Sequence, residues 1–430
     1  MRLVIFGLLL APIAQASNDD LLSIYQDALK SNPALQSAQA ALSAAQFDIE
    51  SANAGLQPKL NASANATAGE TLRSNSPSSV ESGYSSVDGA ISASIALWGP
   101  TEQAAISVAK AGSALAETSA KSALNQLQID IASAYLDRLN AETALDAAQA
   151  QEQAVARQLD RAKKRLEVGL GTRVEVDQTQ AAYDNVRVGL IRAQDSVADA
   201  NDALASVAGR PVERLARLQD QYRALPSTLA LETVIEQAIS NSSAITSITQ
   251  SLELAQARLA LAQAGEQPRL DASGSYSTNK SLEGGLWGNG YSAKLTLSYP
   301  LYTGGKTEAD IASAAAKVSE AKADLDQQRR DLTQQARSLY RAISTQAKTV
   351  SAQAQSIKSA ETAVEATEAA FEVGSGDIID VLNAQSDLFS AQSDFAQSRH
   401  QHALLVLQLE QLRGDLNDDD LVALNQQLTP

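Results

Sequence analysis

Leu56-Gln57-Pro58-Lys59-Leu60 returns in altered form as Glu266-Gln267-Pro268-Arg269-Leu270 in the second half of the chain. Further along, Glu167-Val168-Gly169 returns as Glu372-Val373-Gly374. The first pair is separated by roughly 210 residues and the second by roughly 205, so the difference falls in a loop of variable length. We therefore predict two structural repeats, at about 17–210 and 211–430.

Proline placement separates the helical segments from the rest of each repeat. Residues 101–210 and 301–429 contain no proline and are rich in Ala, Gln, Leu, Glu, Lys and Arg, which favours α-helix. Apolar residues spaced by three and four, as at Leu124, Leu127 and Ile131, indicate packed helix faces. We predict helices at 19–54, 101–165, 175–207, 229–265, 306–371 and 378–412. At about 1.5 Å per residue, the two longest would each reach roughly 100 Å.

Apolar residues recur at every second position between the prolines of each repeat. In 290–302, for example, Tyr291, Leu295 and Leu297 alternate with polar residues. This period indicates strands of roughly ten residues, long enough to cross a membrane when tilted. We predict membrane strands within about 59–98 and 269–303, at 60–68, 88–97, 270–277 and 290–302, with Ser, Gly and Asn-rich loops at 69–86 and 281–290.

Four strands are too few to close a membrane barrel, because single-chain barrels have about eight or more. An open sheet would leave unpaired backbone groups in lipid. If three chains each supply four strands, the twelve strands leave no open edge. We therefore predict a homotrimer.

The composition excludes several classes of function. The chain has 50 acidic and 34 basic side chains and a net charge of −16, which argues against nucleic acid as a partner. It has no cysteine, and hence no disulfide, thiolate metal site or thiol nucleophile. His400 and His402 point to different faces of a helix, so they do not chelate one metal ion together. Because no catalytic or nucleotide-binding motif is present, we expect no enzyme activity, cofactor or metal.

Residues 1–16 have the pattern of a signal peptide. Arg2 is followed by an apolar core and then by Ala14-Gln15-Ala16, an A-x-A cleavage site. We predict that the mature chain begins at Ser17 and that it is exported.

Several short motifs occur in a fixed order along the whole mature chain: Tyr25-Gln26, Ser31-Asn32-Pro33, Leu56-Gln57-Pro58, Arg165-Leu166-Glu167-Val168-Gly169-Leu170, Tyr299-Pro300-Leu301-Tyr302, Gly304-Gly305, Asp380-Val381-Leu382-Asn383-Ala384 and Leu421-Val422-Ala423-Leu424-Asn425. In this order, from about Asp20 to Leu428, the chain resembles the TolC family of trimeric outer-membrane efflux and secretion channels. The resemblance implies a mainly α protein with a small β part. A trimeric β-barrel of twelve strands would continue into a periplasmic α-helical barrel at about 19–55, 101–207, 229–265 and 306–412, with a mixed equatorial region at about 208–228 and 413–430.

The resemblance implies an exit duct in the outer membrane of a Gram-negative bacterium. It would passively conduct drugs, small molecules or secreted proteins, as a homotrimer in contact with outer-membrane lipid. Its partners would be a periplasmic adaptor protein and an inner-membrane transporter of the RND, ABC or MFS class, with no nucleic acid. The alternative is a soluble periplasmic coiled-coil tether or adaptor without a barrel. Such a protein would not need the four alternating segments, and their apolar faces would be exposed to water.

In the family, two turns that contain Val-Gly lie at the periplasmic end of the helical barrel and contact the adaptor. By position they are Val168-Gly169-Leu170 and Val373-Gly374-Ser375. A glycine after a long helix also acts as a C-cap, so capping alone is the alternative explanation.

The family has a ring of aspartates at its constriction, and Asp380 matches one of them. The second aspartate of the pattern is replaced by Asn383, which should weaken block by polyvalent cations unless Asp377 supplies the charge. The alternative is that Asp380 only interacts with the dipole at the start of its helix.

Closed family members link a Tyr and an Arg of the second turn to an acid of the first. Glu175 fits the acid, but Phe371 and Gly376 stand at the other two positions. We hypothesise that Arg173 substitutes, by pairing with Asp377 or Asp380 of a neighbouring helix or subunit. The alternative is that Arg173 is a solvated surface charge.

Overall fold

The computed structural model describes residues 20–75, 78–219, 221–282, 285 and 287–429. The predicted signal peptide and the predicted start at Ser17 lie outside these residues. The first repeat contains α1 (Leu21–Ser31), α2 (Pro33–Ala54), β1 (Lys59–Asn75), β2 (Ser78–Trp98), α3 (Pro100–Glu167), α4 (Arg173–Ala208) and β3 (Arg217–Leu218). The second contains α5 (Leu231–Asn241), α6 (Ser243–Ala264), β4 (Arg269–Ser281), β5 (Trp287–Ser298), α7 (Lys306–Glu372), α8 (Ile378–Arg413), α9 (Asp418–Asn425) and β6 (Leu428–Thr429).

Corresponding helices of the two repeats have nearly the same length. Both α1 and α5 have 11 residues, both α2 and α6 have 22, and both α4 and α8 have 36, while α3 has 68 and α7 has 67. Such agreement is what a duplicated plan requires. None of the described helices carries an apolar stretch long enough to cross a lipid bilayer.

The segments 19–54 and 229–265 are each two helices, which corrects the prediction of one helix apiece. The first break lies at Asn32, whose ψ of 118° is extended because a proline follows it. The side chain of Asn32 accepts a hydrogen bond from the N–H of Leu35 at 3.0 Å and so begins α2. The second break lies at Ser242, whose ψ is 134°. At this break the Asn241 backbone packs directly against Gly414, where no side chain would fit.

The four longer strands form one antiparallel sheet in the order β1-β2-β4-β5. The two predicted hairpins are confirmed, and the pairing of β2 with β4 joins one repeat to the other. Within the described residues, the outer edges of β1 and β5 have no strand partner.

The strands are longer than predicted, so most of 69–86 and part of 281–290 are strand rather than loop. β1 and β2 pair without interruption from Lys59 opposite Ser94 to Asn75 opposite Ser78. The ring of Tyr84, the cross-strand partner of Gly69, packs over this glycine and occupies the place that a side chain there would take. Gly69 therefore lies within the strand and does not end it. In the other direction, β5 stops at Ser298 and does not reach 302.

The described chain divides into two compact units. One contains the segment up to Gln36, Ser122–Ser242 and the chain from Asp331 onward, and it includes the short β3·β6 sheet. Its core consists of fully buried apolar side chains, among them Leu21, Ile24, Ile131, Tyr135, Leu204 and Leu421. The other unit contains Ser37–Lys121 and Ser243–Arg330 and includes the four-stranded sheet.

Candidate functional site

The turn between α3 and α4 is closed by backbone hydrogen bonds onto the last turn of α3. The N–H groups of Leu170 and Gly171 donate to the carbonyl of Arg165 at 2.8 and 3.0 Å. Gly169 has a φ of 75°, in the left-handed region that glycine adopts without strain. Capping is therefore sufficient to explain the glycine of this turn.

The turn between α7 and α8 repeats this geometry residue for residue. The N–H groups of Ser375 and Gly376 donate to the carbonyl of Ala370 at 2.9 and 3.0 Å, and Gly374 has a φ of 78°. The Ser375 hydroxyl also donates to this carbonyl, at 3.1 Å. The duplication therefore extends to the backbone hydrogen bonds and the left-handed glycine of the two turns.

Large apolar side chains project from both turns into solvent. The exposed fractions are 69 % for Val168, 72 % for Leu170 and 80 % for Val373. Capping requires the glycines but gives no reason for exposed valine and leucine beside them. Exposed apolar side chains of this kind favour a contact surface. They support the adaptor role of these residues, which stays a prediction.

Asp380 and Asn383 lie on one exposed face near the start of α8. Together with Asp387 they line a shallow groove of about 580 Å³ against Ser356, Ser359 and Thr367 of α7. Sequence reasoning missed Asp387, although its spacing of seven from Asp380 places both on the same helix face. The groove thus has carboxylates on both sides of Asn383.

Asp377 is the N-cap of α8, and its side chain accepts a hydrogen bond from the N–H of Ile379 at 3.1 Å. Glu175 has the corresponding local role in α4, because its carboxylate accepts from the N–H of Thr172 in a capping box. The resemblance linked Glu175 to closure, and the Arg173 hypothesis linked Asp377 to it. In this structure each of the two acids hydrogen-bonds the backbone at the start of its own helix.

Arg173 pairs with Asp177 of its own helix, at 3.0 Å. In the described chain it pairs with neither Asp377 nor Asp380, so the hypothesis of a bond to a neighbouring helix is wrong within one protomer. The reason is local: Asp177 lies one helical turn away, where an Arg–Asp pair forms without any tertiary contact. A bond to another subunit stays a prediction.

Phe371 is buried in a small apolar cluster with Ile378 and Val381. The guanidinium of Arg165 lies over its ring, with 5.0 Å between the Arg165 Cζ atom and the ring centroid. Sequence reasoning placed Arg165 in a family motif but did not identify it as the partner of Phe371. The signal that was available is position: Arg165 and Phe371 each lie in the last turn of a long helix just before a Val-Gly turn, and a guanidinium stacks on an aromatic face.

The two histidines of α8 are buried and bind different partners, as their spacing predicts. His400 hydrogen-bonds through Nδ1 to the side-chain oxygen of Asn140. His402 accepts from the Tyr222 hydroxyl at 2.6 Å and donates through Nε2 to the Leu225 carbonyl at 2.9 Å. Burial, and next the charge of Arg399, lowers the pKa of His400 to about 4. Both rings tie α8 to other elements.

Known proteins match almost the whole chain. The model of the outer membrane efflux protein family matches residues 24–210 and 234–415. The outer membrane protein TolC of Vibrio cholerae is 29 % identical over 414 residues, which cover 95 % of this chain and 93 % of that protein. The alkaline protease secretion protein AprF of Pseudomonas aeruginosa is 26 % identical over 204 residues, 46 % of this chain and 42 % of AprF.

The crystal structure of the outer membrane protein VceC, also from Vibrio cholerae, has the same fold. It superposes with a TM-score of 0.76 at 22 % identity, covering 92 % of this chain and 96 % of that one. The two blocks matched by the family model fall one in each repeat. From the fold, the duplicated turns and these matches, we conclude that the chain belongs to the outer membrane efflux protein family.

Proposed function

We propose that three copies of this chain form an outer-membrane exit duct for efflux or for type I secretion. The observation that carries the proposal is the four-stranded sheet, whose edge strands β1 and β5 have no partner in the described chain. Unpaired strand edges are costly in lipid, and a threefold repetition of the sheet removes them. The closed barrel would then have twelve strands, four from each copy.

The surface of the sheet supports contact with outer-membrane lipid. Large apolar side chains on its strands remain exposed in the single chain, among them Leu60, Ile91, Leu97, Leu295 and Leu297. The family is located in the outer membrane of Gram-negative bacteria and extends into the periplasm. A soluble tether would leave these side chains in water, which is unfavourable.

The duct would receive its substrates from an inner-membrane transporter of the RND, ABC or MFS class through a periplasmic adaptor protein. The apolar side chains of the two turns, Val168, Leu170 and Val373, are the surface that such an adaptor would cover. The chain has no nucleotide-binding motif, so the transporter must supply the energy. The duct itself would select by size and charge, and the transporter would set whether drugs or proteins pass.

Site-directed crosslinking tests the adaptor contact. The chain has no cysteine, so Leu170→Cys and Ser375→Cys each introduce a single thiol. In whole cells, we expect a thiol–amine crosslinker at either position to capture one periplasmic adaptor, identified by mass spectrometry together with its transporter. The control is Asp195→Cys, an exposed position on α4 away from the turn. Equal capture at Leu170 and Asp195 would contradict the contact.

A further inference from the structure

We propose that Arg165 and Phe371 tie the two turns of one protomer together and so hold these turns, at the end of the duct, in the arrangement that the protomer shows. The inference rests on the proposed exit duct, in which these turns form the periplasmic end. It assigns to this pair the role that the Tyr and Arg of the family pattern would have had at Phe371 and Gly376.

The contact joins two separate helical hairpins. Arg165 lies in the last turn of α3 and Phe371 in the last turn of α7. The Arg165 Cζ atom is 5.0 Å from the ring centroid, within the roughly 6 Å over which a cation is attracted to an aromatic face. The same guanidinium donates to the carbonyl of Leu170 at 3.3 Å, so the cation is held by its own turn while it covers the ring of the other.

Burial strengthens this contact. The Nε atom of Arg165 is shielded from solvent and has no hydrogen-bond partner among the described residues. A guanidinium that has lost water on one side is attracted more strongly to an aromatic face than a fully solvated one. On the other side, Phe371 covers Ile378 and Val381, which are 1 % and 0 % exposed. These three residues belong to the second hairpin, so moving the hairpins apart would take the cation off the Phe371 ring and free the ring to move off Ile378 and Val381.

The tie is present once in each protomer because the repeats differ at these positions. The residue of the second turn that corresponds to Arg165 is Ala370, and the residue of the first turn that corresponds to Phe371 is Leu166. The rival cation Arg173 is largely exposed and already paired with Asp177, a type of pair that contributes little. Three copies would thus contain three equivalent ties, each from a first turn to a second turn.

Thiol labelling of the purified trimer tests the tie directly. Ile378→Cys places a single reactive group under Phe371, so its labelling rate reports how often the cluster opens. Adding Arg165→Leu should raise that rate about five- to thirty-fold. Adding Arg161→Leu, which removes an exposed arginine from the same helix one turn earlier, should leave the rate unchanged. Equal rates for the two variants would overturn the proposal.

Conservative variants separate the tie from a general packing defect. In the same labelling assay, Phe371→Tyr keeps an aromatic face and should behave like the parent, whereas Phe371→Leu should label faster. Combining Phe371→Leu with Arg165→Leu should add little to Phe371→Leu alone, because the ring that Arg165 contacts is already absent. Fully additive effects would overturn the proposal. If Arg165→Leu yields no trimer, Arg165→Lys and Phe371→Leu carry the comparison, and unchanged labelling in both is the overturning result.

Conductance in planar lipid bilayers, without the added cysteine, separates this proposal from the proposed function. Arg165→Leu trimers should open more often than Arg161→Leu trimers at the same voltage. If the parent and every variant fail to conduct, the exit duct is contradicted, while the labelling rates still decide whether Arg165 and Phe371 tie the turns.

Discussion

Asp380 and Asn383 stand one helical turn apart on an exposed face of α8, and Asp387 follows one turn beyond Asn383. In a trimer each position would occur three times around the axis. Three carboxylates close together around an axis repel one another and attract cations. The charge at each position therefore sets how strongly a polyvalent cation binds.

Charge substitutions on this face should change cation block in opposite directions. Asp380→Asn removes three charges from a trimer and should weaken block by a trivalent cation several-fold, whereas Asn383→Asp adds three and should strengthen it. The measurement is bilayer conductance against the concentration of cobalt hexammine. Asp195→Asn, on the exposed face of α4, is the control. If the same concentration of the cation half-blocks Asp380→Asn and the parent, Asp380 does not lie in the conduction path.

His400 should make the stability of the protein depend on pH. Its pKa is about 4 in the folded chain and near 6.5 when exposed, so the unfolded chain binds more protons between these values. Stability is therefore lost as pH falls from 6.5 toward 4, on the order of 2 kcal/mol per protomer at pH 5. His400→Gln keeps a hydrogen-bonding side chain without the titration, and its thermal midpoint by circular dichroism should fall less than the parent's between pH 7 and pH 5. If the thermal midpoints of the variant and the parent fall equally between pH 7 and pH 5, His400 is not the source of this pH dependence.

The residues that sequence reasoning found are those whose role is local. Gly169 and Gly374 follow long helices, and turn chemistry is readable from such positions alone. Arg165 and Phe371 are far apart in the chain, and their contact depends on how two hairpins pack. Arg173 has a local partner as well, because Asp177 lies one helical turn away and an i,i+4 pair of this kind is readable from spacing.

At the scale of elements, hydrophobic period and proline placement predicted where helices and strands lie. The long helices α3, α4, α7 and α8 begin and end close to the predicted positions. The break at Asn32 was readable, since Pro33 follows it. The break at Ser242 has no proline and depends on tertiary contact with Gly414, so sequence alone did not reveal it. The pairing of β2 with β4 is likewise a long-range contact.

Gly414 should be intolerant of any side chain. Its φ of 77° is left-handed, and a Cβ atom would overlap the carbonyl of Asn241. Gly374 has nearly the same φ, of 78°, but open space around it. Gly414→Ala should therefore lower stability by about 2–4 kcal/mol and Gly374→Ala by about 1 kcal/mol. Thermal unfolding followed by circular dichroism checks the difference, and equal midpoints would show that the break at Ser242 does not rest on Gly414.

At the scale of the whole molecule, composition and architecture agree. Aromatic residues are 4 % of the chain, and the largest core cluster is composed mainly of Leu, Ile and Ala side chains. A single copy leaves the edges of β1 and β5 unpaired among the described residues and leaves apolar strand faces exposed. Three copies around an axis pair these edges with one another and form a closed barrel whose apolar outer face contacts lipid. Neither one repeat nor one protomer can do this alone.

Disulfide trapping between copies tests this central claim most directly. Ser63→Cys on β1 is combined, in turn, with a cysteine at each position from 291 to 297 on β5, and outer membranes are oxidised. The control pair is Ile91→Cys with Tyr276→Cys, which face each other within one chain. Our account predicts covalent trimers on non-reducing gels for at least one β1–β5 pair and monomers for the control. Monomers at every β5 position would contradict it.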